Sequence, residues 1–148
     1  MKKIIHPIAG GLAMAIIATF WLSSVSVELF GAPSDIVLVK SGVAWGILLL
    51  IPTMAMTVGS GSALAGKRQG GLIDVKRKRM ALIAAIGLLI MIPAALFLAF
   101  RARAGVFDGG FYAVQAAELI AGPINLFLLG LNMRDGLRMS GRLKRVSR

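Results

Sequence analysis

Cysteine is absent from all 148 positions, and histidine occurs once, as His6. Without a thiol the chain can form no disulfide, no thiolate nucleophile and no Cys-based zinc or iron–sulfur site. A single imidazole rules out chemistry that needs several histidines in one protomer, and no metal centre is expected. Acidic residues are scarce as well: six, against 17 Lys and Arg, for a formal net charge of +11. No polar stretch is long enough to fold as an extramembrane domain. Apolar residues are what the chain has in excess, at 57% of positions and a mean hydropathy of +0.84. A soluble domain of this size could not bury that much apolar surface, so the excess must face lipid or a partner.

Four apolar stretches carry the excess, at about 4–26, 36–60, 80–100 and 111–131. Each has roughly the 20 residues that cross a ~30 Å hydrocarbon layer at 1.5 Å per residue. Lipid offers no partner for open backbone groups, so helices are expected, and the short alternating strands of a membrane β-barrel are missing. Pro33-Ser34-Asp35 and Asp108-Gly109-Gly110 read as turn and helix-start signals. The connections are short, which predicts antiparallel neighbours. The expected fold is therefore an all-α, up-down-up-down bundle of four transmembrane helices, a single domain with a basic tail at 132–148.

Basic residues orient the bundle. Lys40, Arg101 and Arg103 fall at one end. The other fourteen lie at the N-terminus, in the middle loop with its run Lys76-Arg77-Lys78-Arg79, and in the tail. The positive-inside rule then places both termini in the cytoplasm of a bacterial-type inner membrane. Anionic lipid headgroups are the natural partner of these segments, and nucleic acid is not expected. In the tail, Arg134, Arg138, Arg142 and Arg145 share one face of a helix that could lie on the membrane. A competing reading takes Lys2-Lys3, the first apolar run and Ser24-Val25-Ser26 as a cleaved signal peptide. The run is long for that purpose and contains Trp21. Gly61-Ser-Ala-Leu-Ala-Gly66-Lys67 matches most of a phosphate-binding loop, but Arg68 stands where Ser or Thr should hold magnesium. Its glycines and serines are read as easing a helix out of the membrane.

Ionisable groups inside a span are costly and face the bundle interior. Glu118 lies about two turns into the fourth span, Lys40 near the outer end of the second, and Glu28 at the outer end of the first. Glu118 and Lys40 have compatible depths and could pair. Gln115, Glu118, Gly122, Asn125 and Asn132 recur at helical spacing on one face. Two readings of that stripe stay open: interhelical hydrogen bonding as packing glue, and a ligand or proton site formed by Glu118, Lys40, Gln115, Asn125 and Glu28. Pro52, Pro93 and Pro123 each fall near mid-span, where kinks would make room for a cavity. Gly46–Pro52 and Gly87–Pro93 are alike and could mark an inverted repeat, but low-complexity chance is the safer reading.

His6, at the cytoplasmic boundary, is the residue able to ligate haem iron or hydrogen-bond a quinone carbonyl, with Met54, Met56 and Met80 towards the same side. Gly42 with Gly46, and Ala9 with Ala13, offer small-residue surfaces for a homo-oligomer or a larger membrane complex. The expectation is a ligand-binding (haem or quinone) or accessory subunit of a membrane complex, with no catalytic signature. The alternative is a small proton- or cation-coupled transporter using Glu118.

Overall fold

In the computed structural model, which describes residues 2–66 and 70–139, the described chain is helical apart from its short connections. Helix α1 spans Lys2–Phe30, α2 Pro33–Ala65, α3 Leu72–Ile86, α4 Ile92–Arg103 and α5 Gly109–Met139. A π-helical turn, Gly87–Met91, joins α3 to α4 into one continuous span. Among the described residues, four helices are thus long and apolar enough to cross a membrane: Ile4–Phe30, Pro33–Leu64, Leu72–Arg103 and Gly109–Met139.

The helices run well beyond the apolar windows of the sequence, because local signals rather than hydropathy end them. Between α1 and α2 only Gly31 and Ala32 are non-helical. There Gly31 N–H bonds Val27 O at 2.9 Å, Pro33 opens α2, and the Asp35 carboxylate accepts from Ala32 N–H at 2.8 Å. Proline suits that position because its missing N–H would be unpaired in any case. Asp74 plays the same part for α3, accepting from Gly70 N–H at 2.7 Å. Gly70 and Gly71 both carry positive φ, 97° and 56°, a conformation open to glycine. Asp108 caps α5 by accepting from Phe111 N–H at 3.0 Å, the kind of contact that contributes about 1 kcal/mol. The former tail is split by this result: Asn132 to Met139 belong to α5, while Arg142 and Arg145 lie outside the described residues.

The three mid-span prolines behave differently. Pro52 and Pro123 sit inside uninterrupted α-helices. Only Pro93 follows a changed backbone: Ile92 N–H bonds Gly87 O, five residues back. A proline cannot donate, and its ring crowds the carbonyl four residues earlier. Widening the preceding turn relieves that crowding.

Contacts set the packing. His6 meets Ser60 and Ser24 meets Lys40, so α1 and α2 run in opposite directions. Asn132 meets Met80 and Asn125 meets Met91, so α5 opposes the α3–α4 span in the same way. α1 packs on α2 and α5, and α2 packs on α4, with at most marginal contact between α2 and α3. Small residues allow the close approaches: a Cβ on Gly46 would lie 2.2 Å from Phe20 Cζ, and one on Gly122 2.5 Å from Trp21 Cδ1. Ala9 and Ala13 are buried inside the bundle as well. Gly46, Ala9 and Ala13 therefore pack within the chain rather than on a dimer surface, whereas Gly42 meets nothing. Polarity is inverted relative to a soluble protein. Lys40, Asp135, Asn125 and Gln115 are buried, while Leu29, Leu38, Trp45 and Leu89 are exposed, as expected where the solvent is hydrocarbon.

Candidate functional site

α5 turns Gln115, Glu118, Asn125 and Asn132 inward, each less than a tenth exposed. The stripe read from spacing is thus an interior face, and it continues to Asp135. Opposite it, α2 brings Lys40, which is fully buried. Lys40 Nζ donates to Glu118 Oε2 at 2.6 Å and to Ser24 Oγ at 3.1 Å. One ammonium thereby ties three helices together at one depth. Two charges taken out of water are stable only when their partners are this close and their hydrogen bonds are filled.

The surroundings of the pair are not filled. Among the described residues, both amide atoms of Gln115 are buried without a hydrogen-bond partner, as are Glu28 Oε1 and Asn125 Oδ1. Glu28 lies within electrostatic range of both Lys40 and Glu118 but forms no ion pair with them. Five residues singled out by sequence therefore divide. Lys40 and Glu118 are in contact, and Gln115 is one turn away on the same face. Glu28 stands nearby on α1. Asn125 lies deeper, beside Met91, with its Nδ2 3.5 Å from the sulfur.

Between α2 and the α3–π segment lies a cavity of about 530 Å³. Ala55 and Gly59 flank it from α2, and Ala84 and Gly87 from the other side. Four small residues at the place where two neighbouring helices fail to meet leave the space. Its floor is Ile17, Trp21 and Ser24 of α1, with Glu118 and Asn125 of α5. Among the described residues, Glu118 is the only charged side chain in the lining. Trp21 is fixed there by donating Nε1–H to Leu119 O at 3.0 Å.

No family model, curated protein or solved structure matches this chain. His6 stands apart from the cavity, at the end of the bundle that carries the N-terminus. Its Nδ1 is 3.1 Å from Thr57 O and 3.2 Å from Ser60 Oγ. A carbonyl only accepts, and the Ser60 hydroxyl donates to Met56 O at 2.6 Å, so Nδ1 carries a hydrogen and donates it. The three methionines considered beside it go elsewhere. Met80 sulfur lies 3.6 Å from Asn132 Nδ2, Met54 packs with the Ile17, Ile83 and Leu129 cluster, and Met56 is exposed. Gly61 packs against the His6 ring from inside α2, and only Gly66 caps that helix. The loop-like glycine motif is thus mostly helix.

Sequence reasoning missed a second buried cluster. Arg79 Nη1 donates to Asp135 Oδ2 at 2.8 Å and to Asn132 Oδ1 at 3.3 Å, with Arg134 Nη2 3.5 Å from the other Asp135 oxygen. Lys76 Nζ sits against Gly136. The spacing carries a signal, since Asp135 follows Asn132 by three, but Arg79 by sequence alone reads as one more topology-setting basic residue. Ser24 and Trp21 carry no such signal, since each owes its place to a partner on another helix, Lys40 Nζ for Ser24 and Leu119 O for Trp21. At the opposite end, Arg101 pairs with Asp108. That hydrogen bond holds the Asp108 carboxyl below the usual carboxylate range.

Proposed function

We propose that this chain is a multi-pass inner-membrane protein, with both termini cytoplasmic, that binds a lipophilic small molecule in the cavity between α2 and the α3–π segment. The observation that carries this reading is the cavity itself: about 530 Å³, within the membrane-spanning length, almost wholly apolar, with Glu118 as its one charged group. Sites of this kind hold an apolar body and orient it by a few polar atoms. The polar atoms available are mainly acceptors, namely the Glu118 carboxylate and the unpartnered Asn125 Oδ1. A ligand with a hydroxyl to donate suits them, which favours the quinone class in its hydroxyl-bearing, reduced form. Access is lateral, from the bilayer, where α2 and α3 do not pack. In that role the chain serves as a ligand-binding subunit, and its exposed apolar surface meets lipid or neighbouring subunits.

Haem is the weaker reading, because His6 is outside the cavity and no other histidine exists. An absorption spectrum of the purified protein checks this directly, and a Soret band lost in His6→Ala would restore haem. For the quinone class the test uses tryptophan. Trp45→Phe leaves Trp21 as the only indole, and it lines the cavity. Titration with a short-chain quinol should quench Trp21 saturably, and Ala55→Phe, which fills the space, should abolish saturation. Linear quenching that is equal in both proteins would sink the proposal.

A further inference from the structure

The chain has six carboxylates, and four of them have partners at helix ends. Asp35 and Asp74 accept from backbone N–H groups, while Asp108 and Asp135 pair with arginines. The remaining two, Glu28 and Glu118, face a single cation. Lys40 is committed to Glu118 and Ser24. Glu28 lies one turn beyond Ser24 on the same face of α1, near enough to feel both Lys40 and Glu118. α4, which packs on α2 and α5, adds no further counter-charge. Its Arg101 is held by Asp108, and its Arg103 donates to Ser41 Oγ at 2.9 Å.

Two carboxylates beside one ammonium leave a negative charge unbalanced, and Glu28 Oε1 is itself shut off from solvent although its residue is partly exposed. An isolated carboxylate is too costly to keep in such a place, and a proton is the counter-charge always at hand. The unpartnered atoms match that remedy. Glu28 Oε1, Gln115 Nε2 and Gln115 Oε1 are all buried and unused. Gln115 lies one turn from Glu118 on the same face of α5 and bonds neither carboxyl directly, so its amide engages them through bridging water, the N–H donating to a water oxygen and the C=O accepting from a water O–H.

We infer that Glu28, Gln115 and Glu118 form a proton-binding site that holds one exchangeable proton beside Lys40 and connects the outer membrane face with the cavity. The resting arrangement is the Lys40–Glu118 ion pair with Glu28 as the neutral acid. Glu28 is partly exposed, two residues before α1 ends, so it trades its proton with water at the membrane boundary. The exchange inward is a net transfer of H⁺ from the Glu28 O–H to a Glu118 carboxylate oxygen through an intervening water that the Gln115 amide orients, the amide itself neither gaining nor losing a proton. Glu28 becomes the carboxylate, Glu118 the acid, and the cluster charge is unchanged. Glu118 then presents the proton to the cavity it lines. This inference stands on the outer cluster alone and does not depend on what occupies the cavity.

Infrared difference spectroscopy of the full chain in lipid nanodiscs, between neutral and alkaline pH, reads the protonated-carboxyl C=O stretch. The wild type should show one such band that disappears on alkalinisation. Glu28→Gln should remove it, and so should Glu118→Gln, since in each case the surviving carboxylate becomes the sole counter-ion of Lys40. Lys40→Met should increase the band about twofold, because both carboxyls then lack a cation and take protons. Absence of the band in the wild type overturns the inference without need of any variant. A band that persists in Glu118→Gln also overturns it, since the proton would then be fixed on Glu28 and not shared.

Discussion

Lys40→Met and Glu118→Leu, alone and together, probe the centre of the bundle. Lys40 is fully buried and its Nζ lies 2.6 Å from Glu118 Oε2, so removing one partner strands the other in a medium that cannot solvate it. Breaking a buried pair in this way costs about 3–5 kcal/mol, whereas replacing both partners by apolar groups of similar volume is often close to neutral. Lys40→Met should therefore lower stability by about 3–5 kcal/mol, or a melting temperature by roughly 6–20 °C for a chain of this size. Glu118→Leu should cost less than Lys40→Met, because Glu28 is close enough to serve as a substitute counter-ion. The double variant should fold better than either single one, within about 2 kcal/mol of the wild type, the residual loss reflecting the orphaned Ser24 hydroxyl. Unfolding in mixed micelles by graded addition of SDS gives the four free energies, and their cycle gives a coupling of at least about 3 kcal/mol. Additive losses, with coupling under about 0.5 kcal/mol, would refute the reasoning, since residues that do not interact behave in that way.

Other predictions concern packing, pH and topology. Gly46→Ala should destabilise the bundle by about 1–3 kcal/mol, because the new methyl would sit 2.2 Å from Phe20 Cζ and displace the ring. Gly42→Ala, with nothing within 4 Å, should be neutral or stabilising by up to about 1 kcal/mol, and equal effects in melting experiments would argue against this helix register. Arg101 holds Asp108 below its ordinary value, so the contribution of Asp108 is present in full above about pH 4 and disappears as pH falls through the lower, folded value. Protection factors for amide exchange at Phe111 and Tyr112, taken against the intrinsic rate at each pH, should fall over that acid range, and Asp108→Asn should abolish that fall while keeping the cap to Phe111. Reporter fusions after Gly70 and after Arg148 should be cytoplasmic and one after Gly109 should not, and an external signal from the C-terminal fusion would overturn the orientation drawn from the basic residues.

Much of this protein could be read from the chain alone, and the readable part is of one kind. Hydropathy along the sequence determined that there are four spans, because covering ~30 Å of hydrocarbon is a local demand on about 20 consecutive residues. Helical periodicity determined that Gln115, Glu118, Asn125 and Asn132 share a face, and the rarity of charge in a span determined that the face points inward. Matching depth even paired Lys40 with Glu118, since each of two lone charges in hydrocarbon has few other remedies. Tertiary structure alone decided the rest. Gly46 and Ala13 could equally have served another chain, and only the position of Phe20 and the packing of α1 show that they serve this one. Arg79 became a partner of Asp135 rather than a topology charge because α3 and α5 cross there. His6 was separated from the cavity by the direction in which α1 presents it to Thr57. The cavity itself has no sequence signature. It is space left where α2 and α3 do not meet, and a space is defined by the surfaces of several helices at once, which no single stretch of residues encodes.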